Sequence, residues 1–205
     1  MKHNNLILAA RVISMIFTPF YLPFVGMISL FLFSYLSLLP LLYRLTVLVI
    51  VYLFTILLPT VLIHVYRRYQ GWTPIELGRK ERRFVPYVIS IGCYLLCSYI
   101  MESMHIPHFM GSILIAALVI QILCALINVW WKISTHMAAI GGVTGALFAF
   151  GEIFAFNPVG WICLLILLSG LLGTSRMILR QHTLSEIVSG FVLGILCAGI
   201  GILVI

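Results

Sequence analysis

Near the C-terminus the chain reads Ser175-Arg176, five residues, His182, three residues, Glu186. Upstream lies Lys132-Ile-Ser134-Thr-His136, and further upstream a basic run holds Lys80 and Arg83, followed by Pro86. Together they offer two imidazoles, several cations, hydroxyls and one carboxylate, a set suited to phosphoryl transfer. A phosphoryl group keeps negative charge on its non-bridging oxygens, which Arg and Lys neutralise; Arg does so with paired hydrogen bonds. A neutral histidine can attack phosphorus and carry it covalently. A carboxylate can fix that histidine's tautomer and stabilise the charge it gains. A second histidine can protonate the leaving oxygen. With cations supplying the electrostatics, the scheme calls for no metal. Aspartate is absent, and Glu76, Glu81, Glu102, Glu152 and Glu186 are the only acids. That argues against a Mg²⁺ or Ca²⁺ centre, which needs several carboxylate oxygens.

These residues must be positioned by a membrane scaffold. The 205 residues are 63% hydrophobic and only 8% charged, against roughly 25% charged in soluble domains. So little charge cannot cover a water-soluble globule, and the chain reads as one all-α membrane domain, 1–205. Clear apolar spans lie near 46–66, 87–104, 110–129, 137–155, 159–176 and 184–205. The first apolar run, 6–39, would reach about 51 Å as one helix, against a hydrocarbon core of about 30 Å. Pro19 and Pro23 in its middle predict a break, giving either one steep span with an interfacial piece or a hairpin. The total is about six or seven spans. The organisation is N-terminal spans over 1–66, a basic loop at 67–86 and a helical core over 87–205. No small-residue cleavage site follows the first run, which therefore reads as a membrane segment rather than a cleavable signal.

Counting crossings brings the chemistry together. From the 67–86 loop, two spans return the chain to Trp130–His136, and two more return it to Ser175–Glu186. All three polar clusters therefore land at one end of the bundle. Gly141/Gly145 and Gly190/Gly194 carry the small-residue spacing of closely packed membrane helices. Cys93, Cys97, Cys124, Cys163 and Cys197 read as small apolar residues, not as a metal or disulfide set.

At these residues the sequence resembles the type 2 phosphatidic acid phosphatase superfamily, whose pattern is K-x6-R-P, then P-S-G-H, then S-R-x5-H-x3-D. Ser175, Arg176 and His182 match the third motif, with Glu186 in place of Asp. Ser134 and His136 match the second, with Ile133 and Thr135 in place of Pro and Gly. Lys80, Arg83 and Pro86 follow the first loosely, with compressed spacing and with the Arg–Pro pair interrupted. The resemblance implies a polytopic helical bundle with that family's phosphatase core. It implies a cofactor-free membrane hydrolase acting on a lipid phosphate or pyrophosphate. His182 would be the nucleophile, Glu186 its partner and His136 the general acid. Arg176, Ser134, Arg83 and Lys80 would hold phosphate, with Ser175 and Lys132 beside them.

Plainer readings stand beside these. Thr183-Leu-Ser-Glu186 fits a capping box. His136 can cap its own helix with Thr135. The basic run can face anionic headgroups. A phosphotransferase, or a lipid-phosphate-binding relative without catalysis, would use the same scaffold. The net charge of +7 suits anionic lipid or substrate, and nothing points to nucleic acid. The expected location is a bacterial cytoplasmic membrane. The positive-inside rule places the cluster at the cytoplasmic face, whereas many relatives of the resembled family face outward.

Overall fold

A computed structural model of the chain describes residues 2–33, 35–71 and 84–204. Lys80 and Arg83, with most of the basic loop, lie outside the described residues. The helices are α1 (Lys2–Ile16), α2 (Leu22–Phe33), α3 (Leu41–Tyr69), α4 (Phe84–Ser103), α5 (His108–Trp130), α6 (Thr135–Ile153), α7 (Val159–Ile178) and α8 (Leu184–Val204). No strand occurs among the described residues. Lipid offers no partner for a bare peptide group, so a crossing segment must satisfy its own backbone as a helix. Six of these helices, α3 to α8, are long and apolar enough to cross a membrane, which fits an integral membrane protein. Large side chains such as Leu8, Leu32 and Leu167 are exposed, as a lipid-facing surface requires.

Proline punctuates the chain. Pro40, Pro107 and Pro158 each immediately precede a span, where a missing N–H removes no helical bond. The first apolar run breaks at its prolines: a short turn at Pro19–Tyr21 separates α1 from α2, and the two meet at a bend of 76°. Inside α3 the turn at Leu53–Leu57 widens to five-residue spacing. Pro59 lies just beyond it and crowds the carbonyl four residues back, that of Thr55, at the centre of the wide turn. The helix runs on through Arg67 and Arg68. Its ends therefore exceed the apolar run 46–66, because a helix does not stop where hydropathy does.

Three connections close without glycine. His105, Ala155 and Arg180 adopt left-handed φ values of 55°, 51° and 50°. Each follows a helix C-terminus and turns the chain back, with bonds such as Ile106 N–H to the Met101 carbonyl at 3.0 Å.

The centre of the bundle is α6, which packs against α5, α7 and most closely α8. Glycines make the α6–α8 approach possible. A Cβ on Gly141 would collide with the Phe191 carbonyl, and one on Gly145 with that of Ile195. In return, a Cβ on Gly194 would meet the Ala138 carbonyl and the Gly142 nitrogen. Without a hydrophobic drive between helices in lipid, such backbone-to-backbone packing supplies the association energy. At the end nearest the polar clusters, Met137, Ile140, Leu172 and Ile187 form a small core to which α1 adds Ile13 and the turn after it adds Phe17.

Candidate active site

The third cluster owes its shape to the end of α7. Arg180 N–H bonds to the Met177 carbonyl at 2.9 Å, and Gln181 N–H to the Arg176 carbonyl at 3.1 Å. This Schellman closure reverses the chain within the five residues between Arg176 and His182. The spacing is thus one helical end plus one left-handed turn. His182 follows, 7% exposed, and α8 begins two residues later.

His182 Nδ1 lies 2.8 Å from Glu186 Oε2. The same oxygen accepts the Thr183 N–H at 3.3 Å, while Glu186 N–H reaches Thr183 Oγ1 at 3.5 Å. The capping box and the histidine–carboxylate pair are therefore one structure. Capping holds the Glu186 side chain against the first turn, and there it meets the imidazole. A carboxylate can only accept, so Nδ1 carries a proton, and in the neutral imidazole the basic lone pair lies on Nε2. The longer arm of Glu relative to Asp reaches this geometry from the i+4 position.

The second cluster meets the third through backbone. Ser134 N–H bonds to the Glu186 carbonyl at 3.3 Å, and Lys132 Nζ donates to the Gln181 carbonyl at 2.7 Å. A Cβ on Gly190 would come within 2.7 Å of the Ser134 carbonyl. The glycine contact between α6 and α8 thus extends to the connection that carries Ser134. Ser134 is the N-cap of α6 but makes no side-chain cap bond. Its hydroxyl is fully buried and has no hydrogen-bond partner among the described residues. His136, half-buried, stands in the first turn of α6. The helix dipole at that start favours an anion nearby.

Arg176 is 6% exposed, and its Nη1 donates to Ser14 Oγ at 2.7 Å. Ser175 turns inward on its own helix, donating to the Leu171 carbonyl at 2.8 Å. The clusters around 132–136 and 175–186 are therefore brought together as the span count requires, with the Ser175 hydroxyl engaged elsewhere. Sequence reasoning missed Ser14, Tyr87 and Asn128. The last two are buried polar groups near the same ends of α4 and α5. Asn128 had a signal, as a side-chain amide in an apolar run two residues before Trp130. Ser14 had none.

Beside the cluster a cavity of about 290 Å³ lies between the N-terminal segment and α5–α7. Its wall is almost wholly apolar. It includes Thr135, next to His136, then Pro19, Pro23 and Gly26, and reaches Phe156 and Trp161 at the opposite end of the bundle. Glu102, His105, His108 and Glu152 at that opposite end are all exposed. Among the described residues no three His, Cys, Asp or Glu side chains group as metal ligands. No protein-family model, no curated protein and no solved structure matches this chain.

Proposed function

We propose that this protein is a metal-independent membrane phosphatase that hydrolyses a lipid phosphate or pyrophosphate through a phosphohistidine. The observation that carries the reading is the part-buried His182–Glu186 contact of 2.8 Å. It leaves the nucleophilic lone pair on Nε2 and places a negative charge behind the ring as the ring becomes cationic. Nε2 attacks phosphorus, the bond to the leaving oxygen breaks, and His136 gives that oxygen a proton. Water then attacks the phosphohistidine while His136 takes a proton back, and inorganic phosphate leaves. Arg176, Ser134 and Lys132 supply donors toward the phosphoryl oxygens, and Arg83 and Lys80 from the basic loop complete the cationic set.

A lipid substrate is supported by the cavity. An apolar channel that begins at Thr135 and continues along the membrane depth suits an alkyl or prenyl tail beneath a phosphate held by the cluster. The purified protein in detergent should release inorganic phosphate from one or more members of a lipid-phosphate panel, with inhibition by vanadate. His182→Ala should lose that release. Turnover at the wild-type rate in His182→Ala would overturn the nucleophile and the mechanism with it. Product that forms only with an added acceptor would reassign the same site to phosphotransfer.

A further inference from the structure

The N-terminal segment does more than anchor the chain. Ser14 lies on α1, 162 residues from Arg176 in sequence, yet the two side chains are buried together at 2.7 Å. Ser14 itself is only 8% exposed. The neighbouring positions hold α1 in place: Ile13 and Phe17 pack on the small core of Met137, Leu172 and Ile187 beneath the site. A few residues further on, Pro19 and Pro23 wall the apolar cavity. A single broken segment thus touches both the guanidinium and the cavity.

We propose that Ser14 is a positioning residue for the phosphate site, holding Arg176 in the orientation that grips a phosphoryl group. The proposal rests on the phosphatase reading above and adds to it a residue outside every motif that suggested it. A guanidinium presents five donors in a fixed planar fork, so one anchored nitrogen sets the direction of the remainder. A hydroxyl suits that task because it is neutral. It takes one N–H bond and orients the group, whereas a carboxylate in its place would also cancel much of the charge that an anion is to meet. The hydroxyl acts through Arg176 and is not itself a phosphate ligand.

The test is a comparison of Ser14→Ala, Ser14→Thr, Arg176→Lys, the Ser14→Ala/Arg176→Lys pair and His182→Ala, each purified in detergent and assayed on the same lipid phosphate. Ser14→Ala should lower kcat/KM roughly tenfold and raise the vanadate inhibition constant in parallel, as expected when one charge-assisted contact is disordered. Ser14→Thr keeps the hydroxyl and should recover most of both. In the Arg176→Lys background Ser14→Ala should add little, because the partner it orients is already gone. A merely structural role would instead lower thermal stability and the active fraction while leaving the vanadate constant unchanged. If His182→Ala is inactive but Ser14→Ala keeps the wild-type vanadate constant, or its effect simply adds to that of Arg176→Lys, the positioning role is wrong and the phosphatase reading stands. If the wild type releases no phosphate from any lipid, or His182→Ala keeps full turnover, the reading itself fails and Ser14 falls with it.

Discussion

The two ends of this bundle carry similar residues to opposite effect. At one end Arg176, His182 and Ser134 are buried, and backbone bonds tie the connections that carry them together. At the other, Glu102, His105, His108 and Glu152 stand exposed. Burying an ionisable group costs several kcal/mol unless it is paired and hydrogen-bonded, so a chain does not bury such groups idly. At the exposed end the same residue types stay at the surface. The contrast is one of construction rather than composition.

The first way to break the contrast is to exchange histidines for alanine at both ends. His182→Ala should reduce kcat by roughly 10⁴-fold or more, as loss of a covalent nucleophile does, while His108→Ala stays within twofold in the same phosphate-release assay. The carboxylates come next. Glu186→Gln should cost roughly 10³-fold in kcat, because an amide offers Nδ1–H a weaker partner and can favour the wrong tautomer. Glu152→Gln should leave the rate unchanged. Equal losses from the two glutamates would break the contrast between the ends.

Glycines give a smaller and sharper version. Gly190→Ala pushes a methyl to 2.7 Å from the Ser134 carbonyl, so the connection to α6 must shift. An activity loss of roughly 10- to 100-fold is expected, since small misplacements of catalytic groups are costly. Gly160, at the start of α7 toward the other end, has open space where a Cβ would go, and Gly160→Ala should be silent. The smallest effect is one in which the two ends behave alike. Arg180→Gly and His105→Gly both relieve a left-handed φ on a residue with a side chain. Each should raise unfolding stability by about 1 kcal/mol, read as a higher midpoint in thermal unfolding, with activity within twofold.

How much of this is legible in the sequence follows from the kind of signal each feature leaves. The spans are written in long apolar runs, and their number sets which clusters share an end. The His182–Glu186 pair is legible because i and i+4 share a helix face, and Thr183 and Glu186 announce the cap. Helix ends are less legible, since Arg67 and Arg68 prolong α3 by backbone bonding that hydropathy does not see. The break at Pro19 and Pro23 is predictable, but not the direction in which α1 then runs. Ser14 is the clearest loss. A serine in an apolar helix is common and locally satisfiable, and only tertiary packing brings it to Arg176. The Ser175 hydroxyl illustrates the converse. Its place beside Arg176 suggests a phosphate contact, yet the helix leads its donor back to the Leu171 carbonyl.

The glycine contact between α6 and α8 has a consequence for how this sequence can change over time. Because the two helices meet through main chain, the relative placement of the Ser134 connection and the start of α8 does not depend on the rotamers of large side chains. The outward positions of the spans, by contrast, need only be apolar. Leu, Ile, Val and Phe can replace one another there with little effect on the seam. Drift over most of the chain's length is therefore compatible with a fixed spacing between two histidines. The positions that resist it are few: three or four glycines, one cap and the residues they bring together.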